Sequence, residues 1–272
     1  MKKIKKGICK SCGRSTDLTY EHIPPKSAFN NNKYFYTTKV HPLFEKRKAR
    51  SFEELVEFDK SKAIKKQGGI GFFTLCAICN NNFGTWYVRD YLSWVKQSIR
   101  YFESSDPNFK INFKVKIKPL NVLKQIMAMF LSINSQLTID FPEVKKFLLK
   151  KNLKLEIPEI RIFIYYNLEG EIRYEPNFIL GKIDTGIIVH ISEISFPPFG
   201  YVLITNGETL DERLFEITNF GNFEYDEEFE LIQNLPILPT HLKFVGDYRT
   251  EEEIEKGIKS NLSYIESTQF GA

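Results

Sequence analysis

Two short stretches decide how this chain folds: Cys9-Lys10-Ser11-Cys12-Gly13 near the start and Cys76-Ala77-Ile78-Cys79-Asn80 further along. All four cysteines lie in these two pairs, and both pairs have the same two-residue gap. Two such knuckles offer four thiolates to the corners of a tetrahedron, which is the geometry zinc prefers. Disulfides do not persist in a reducing cytosol, so metal is favoured over cross-linking. Gly13 stands where a tight turn after the first knuckle needs positive φ. A site closed by four thiolates has no open coordination position. The zinc expected at Cys9, Cys12, Cys76 and Cys79 is therefore structural: it folds the domain and leaves the chemistry to other residues. The wide separation of the pairs requires an excursion of the chain between them.

Working outward, 272 residues with 42% hydrophobic and 26% charged residues describe an ordinary globular chain, long enough for two domains. No apolar run is long enough to cross a bilayer, and the basic start MKKIKKGICK has no apolar stretch behind it. A cytoplasmic protein with no membrane partner is expected. The net charge of +4 hides an asymmetry. Residues 1–120 carry 24 Lys and Arg against 10 Asp and Glu, and the rest of the chain carries 14 against 24. A basic first half suits an anionic partner such as nucleic acid, whose phosphates supply most sequence-independent binding.

Between the cysteine pairs runs Thr19-Tyr20-Glu21-His22-Ile23-Pro24-Pro25-Lys26, and Asn80-Asn81-Asn82-Phe83-Gly84 starts at the residue after Cys79. Read alone, Glu21 is a solvated carboxylate, His22 a hydrogen-bonded imidazole and Asn80 a helix N-cap. Taken together, their order resembles the HNH, or ββα-metal, endonucleases. There an acidic residue followed by His-Ile-x-Pro on a β-hairpin stands between two zinc knuckles, and His or Asn follows the last cysteine. The likeness covers about Cys9 to Trp94 and is nearest in pattern to the phage junction-resolving type. It implies that Glu21 and Asn80 ligate one catalytic divalent cation, Mg2+ or Mn2+, and that His22 is the general base. The chemistry is coherent: carboxylate and amide oxygens suit a hard cation, and an imidazole is the natural base near pH 7. One metal and one base then suffice to hydrolyse a phosphodiester in DNA, leaving a 5′-phosphate. Phage defence or restriction would be a fitting setting. Adjacent strand residues point to opposite sides, so a bulge or bend is expected to bring Glu21 and His22 to one phosphate.

The chain departs from the pattern in several respects, and no third ligand for the cation can be assigned. The Gly-Gly pair that family members carry soon after the histidine occurs here only as Gly68-Gly69, beyond a long basic insertion from Phe29 to Gln67. The group that orients His22 is not readable, and Asn30, Asn31 and Asn32 are the candidates. The insertion and its approach carry Lys26, Lys46, Arg47, Lys48 and Arg50, with Tyr34, Phe35 and Tyr36 among them. These are expected to bind nucleic acid, unless they form a merely solvated basic loop. After Gly84, Trp86, Tyr87, Tyr91, Trp94 and Ile99 recur at helical spacing, which predicts an amphipathic helix to about Tyr101 with a core-facing stripe.

The polar run Ser104-Ser105-Asp106-Pro107-Asn108 marks a boundary, giving an HNH-type zinc domain over 1–103 and an α+β domain over 104–272. In the second domain the pattern predicts helices over Leu120–Ile133 and Glu143–Lys150. Mostly antiparallel strands follow at Arg161–Tyr166, Ile172–Tyr174, Gly186–Ile191 and Gly200–Thr205, and a capping box opens at Thr250. The expected fold is therefore α+β, a zinc-stabilised ββα-metal domain followed by a mixed domain. No catalytic motif occurs in the acidic second half, which suits a protein partner or small-molecule ligand. The rival to the nuclease is a catalytically inactive zinc-containing nucleic-acid-binding or scaffold protein.

Overall fold

The computed structural model describes residues 5–31, 34–37, 64–104, 113–167, 172–182, 187–207, 209, 211–238, 248–250, 252–257 and 259–260. Strands β1 (Lys5–Ile8), β2 (Ser15–His22) and β5 (Gly71–Cys76) form an antiparallel sheet in the order β1-β2-β5. The excursion between β2 and β5 includes a second antiparallel pair, β3 (Tyr34–Thr37) and β4 (Ile64–Gln67). Pairing of β2 with β5 shifts register between Thr19 and Tyr20, leaving Thr74 as the extra residue of a bulge. Helix α1 (Ala77–Phe83) follows β5 directly. A π turn over Gly84–Val88 then leads into α2 (Arg89–Ser104). The aromatic stripe faces inward, with Tyr87, Tyr91 and Trp94 all buried.

Strand β6 (Phe113–Ile117) leads to α3 (Pro119–Ile133), where Pro119 occupies the helix start and loses no hydrogen bond there. The sequence PLNVLKQIMAMFLSI is apolar around nearly its whole circumference, so this helix is central and almost completely buried. Short helices α4 (Leu137–Asp140) and α5 (Glu143–Leu149) come next. Buried Lys124 of α3 closes the end of α5 by donating from Nζ to the carbonyls of Phe147 and Lys150, and burial pulls its pKa down to about 7. The remaining strands are β7 (Arg161–Tyr166), β8 (Arg173–Lys182), β9 (Ile187–Phe196), β10 (Phe199–Asn206), β11 (Phe215–Glu216) and β12 (Phe229–Gln233). A five-stranded antiparallel sheet runs β11-β7-β10-β9-β8, and β12 pairs back to β6. Pro176 falls in the bulge between Glu175 and Phe178 on edge strand β8, one of the few places a strand accepts proline.

The α+β class and the antiparallel sheet therefore match the sequence reading. Strand β8 is much longer than the pattern marked, and β12 was not foreseen. The Thr250 capping box forms: Glu253 N donates to Thr250 Oγ1 (3.2 Å) and Thr250 N to Glu253 Oε2 (2.7 Å). Most of the boundary run lies outside the described residues. One apolar core joins the two halves, from Cys9, Leu75, Tyr91 and Trp94 through α3 to Ile162, Phe199 and Leu203. Trp94 stacks on Phe199 with ring centroids 4.5 Å apart, and Tyr91 Oη meets Tyr201 Oη at 2.8 Å. Among the described residues no helix is long and apolar enough to cross a membrane.

Candidate functional site

The hairpin turn between β1 and β2 carries Cys9 and Cys12, and the junction of β5 with α1 carries Cys76 and Cys79. Their four sulfurs lie within 4.8 Å of one another. Cys12 Sγ and Cys76 Sγ are 3.9 Å apart, far beyond a disulfide and close to the roughly 3.8 Å edge of a zinc–thiolate tetrahedron. Donors point at the sulfurs: Cys76 N at Cys9 (3.3 Å), Cys79 N at Cys76 (3.5 Å) and Arg14 Nε at Cys12 (3.4 Å). Burial alone would raise the Cys12 thiol, but hydrogen bonds from the Arg14 side chain and backbone bring it down to about 6. Burial raises the Cys9 and Cys79 thiols instead, and it is the spacing of the four sulfurs that fits a metal ion such as zinc, which binds them as thiolates. Gly13 has φ +75°, and its N–H closes the knuckle onto Cys9 O at 2.8 Å, as the turn demands.

Strand β2 divides the candidate catalytic residues between its two sides. On one side Glu21 is 8% exposed, and its Oε2 accepts from Ser132 Oγ at 2.6 Å and Thr74 Oγ1 at 3.1 Å. Among the described residues Oε1 takes no hydrogen bond. Burial raises the carboxyl to about 7, against the opposing pull of Ser132, Thr74 and the Lys10 ammonium. Lys10 Nζ itself donates to Ser132 O (2.7 Å), at the C-terminal end of α3. Two residues back on the same side, Thr19 Oγ1 accepts from Asn80 Nδ2 at 2.9 Å, and among the described residues the Asn80 amide oxygen takes no hydrogen bond. Asn80 is not the helix cap; Cys76 is, its sulfur receiving Cys79 N.

On the other side His22 Nε2 lies 2.9 Å from Gly68 O. A carbonyl only accepts, so in the neutral ring the proton sits on Nε2 and Nδ1 is the basic nitrogen. The Tyr20 ring stands edge-on to His22, with centroids 5.1 Å apart, and its hydroxyl donates to Gly69 O (3.1 Å). Buried Asn30 clasps the same loop: Nδ2 donates to Pro24 O (2.8 Å) and Ile70 O (2.7 Å), while Oδ1 accepts from Ile70 N (2.8 Å). Gly68 and Gly69 have φ +91° and +81°, and a side chain on Gly69 would run into the Asn30 carbonyl and the His22 ring. The bulge at Thr74 is present, but it does not bring Glu21 and His22 to one side. Glu21 faces α3, and His22 faces the Gly68–Ile70 loop.

Of the expected nucleic-acid contacts, Lys26 is exposed just beyond the site, while Lys46, Arg47, Lys48 and Arg50 lie outside the described residues. No pattern of residues marks Ser132, Thr74, the Gly68 carbonyl or Tyr174, whose hydroxyl donates to Ile23 O. The second half holds its own buried acid, Glu193. Arg173 Nη1 pairs with Oε2 (2.9 Å), while Tyr165 Oη (2.6 Å) and Tyr248 Oη (3.3 Å) donate to Oε1. A hollow of about 410 Å³ lies beside the Arg161–Glu216 ion pair and is lined also by Thr218, Asn219 and Asn222. Compared with known proteins, the chain matches no family model, no curated protein and no solved structure.

Proposed function

We propose that the chain is a metal-dependent HNH-type endonuclease hydrolysing phosphodiester bonds in DNA, with structural zinc in the cysteine cluster. One observation carries the reading. Glu21, Asn80 and His22 each have one polar atom held by the protein and another without a partner among the described residues, and they stand on a strand–strand–helix unit beside the cysteine cluster. Glu21 Oε1 and Asn80 Oδ1 are hard oxygens on one side of β2 and suit Mg2+ or Mn2+. When bound, that cation would neutralise charge on the scissile phosphate. His22 Nδ1 would take the proton from the attacking water, and the Gly68 carbonyl would hold the resulting imidazolium through Nε2. Lys26 and the basic residues of the insertion would supply phosphate contacts.

A second reading, a catalytically silent zinc-containing nucleic-acid-binding protein, is favoured by the placement of Glu21 and His22 on opposite sides of β2. The two readings separate on one experiment: purified protein with plasmid DNA and Mg2+ or Mn2+, beside His22→Ala. The nuclease reading expects metal-dependent cutting with 5′-phosphate ends and a loss of at least about 100-fold in the variant. Binding without cutting by the wild type supports the silent protein, and cutting that survives His22→Ala unchanged rejects the base.

A further inference from the structure

Glu21 is held by a residue from the other half of the chain. Ser132 sits in the last turn of α3, 111 positions away in sequence, and its hydroxyl makes the shortest hydrogen bond to the carboxylate. The bond is buried, and three neighbours fix the serine. Thr74 Oγ1 lies 3.1 Å from Ser132 Oγ, Lys10 Nζ holds the Ser132 carbonyl, and the next turn is pinned by Asn134, whose Nδ2 donates to Ser192 Oγ of β9 at 3.1 Å. Both donors to Glu21 converge on Oε2. A carboxylate gripped through one oxygen cannot rotate freely, so its other oxygen has a fixed direction. Outer hydrogen bonds of this kind orient the ligands of metal sites and typically govern affinity by about 10- to 100-fold.

We infer that Ser132 is a positioning residue for Glu21, so that the second half of the chain completes the cation site. The inference rests on the nuclease reading, since it gives Glu21 a cation to hold. Helix α3, tied through Asn134 to the five-stranded sheet, fixes the orientation of the carboxylate, and displacement of α3 would release it.

The test is Mn2+ binding followed by electron paramagnetic resonance on the full-length, zinc-loaded chain, comparing wild type, Ser132→Ala, Ser132→Thr, Glu21→Gln and the Ser132→Ala/Glu21→Gln double variant. Zinc content and thermal unfolding check each fold. Ser132→Ala is expected to weaken Mn2+ binding by about 10-fold or more and to raise the Mg2+ needed for half-maximal cutting by a similar factor. Ser132→Thr, which keeps the hydroxyl, is expected to stay within about threefold of wild type, and the double variant to bind no more weakly than Glu21→Gln. If Ser132→Ala loses its fold, Ser132→Cys, a weaker donor, is expected to bind with reduced affinity, and wild-type affinity there overturns the inference. Unchanged Mn2+ binding in Ser132→Ala, with loss in Glu21→Gln, overturns the role of Ser132 and leaves the cation site standing. Absence of Glu21-dependent Mn2+ binding in the wild type instead removes the nuclease reading, and this inference with it.

Discussion

Two buried glutamates, one in each half, show how the same side chain is used in different ways. Glu193 of the five-stranded sheet has both oxygens engaged, Oε2 by Arg173 and Oε1 by Tyr165 and Tyr248. Glu21 of the cysteine-cluster sheet has two hydroxyl donors on a single oxygen and no cation in contact with its carboxylate among the described residues. A buried charge that is paired and fully hydrogen-bonded belongs to the architecture. In one that is hydrogen-bonded through a single oxygen, the second oxygen is open to solvent or to a ligand. Burial shows its effect at Glu21, whose carboxyl is pushed up to about 7.

The contrast can be broken most forcefully at the sheet. Glu193→Gln leaves Arg173 buried beside a neutral partner, and an expected loss of about 3–5 kcal/mol should appear in urea unfolding. A loss well under 1 kcal/mol would mean the pair is not structural. The next effect has the opposite sign and depends on pH. Because the folded Glu21 pKa lies above its ordinary 4.5, the fold favours the protonated acid. The stability present below pH 4.5 is lost as pH rises towards 7. Without added Mg2+ or Mn2+, Glu21→Gln is therefore expected to be more stable than wild type at pH 8 by roughly 3 kcal/mol and about equal at pH 4.5. Unfolding curves in which Glu21→Gln is the weaker protein at pH 8 would make Glu21 a second Glu193. The smallest effect sharpens the contrast: Tyr248→Phe removes the longer bond to Glu193, but Tyr165 remains on the same oxygen. A cost of about 1 kcal/mol or less is expected in the same assay.

The legible parts of the molecule were those encoded locally. Cys9-x-x-Cys12 and Cys76-x-x-Cys79 could be read because knuckle geometry fixes their spacing, and β7 and α3 because apolar runs bounded by turn signals leave few alternatives. The Thr250 box was legible for the same reason. The partners of the site were not. His22 is oriented by the carbonyl of Gly68, and a backbone atom has no signature in residue identity. Asn30, one of three candidates for that task, acts a step further out by clasping the loop that presents the carbonyl. Ser132 looked like one more small residue on a buried helix, because its meaning depends on a contact 111 positions away.

The Asn30 clasp also has a consequence for how this architecture can vary. It ties Pro24 and Ile70 together at the base of the excursion, and β3 pairs with β4 just beyond it. Whatever length of chain is spliced in past that waist, the ends arrive already joined, and each doubling of its length costs only about 0.6 kcal/mol in closure entropy. The protein therefore has a place beside β2 where inserted chain can change in length while His22 stays in place.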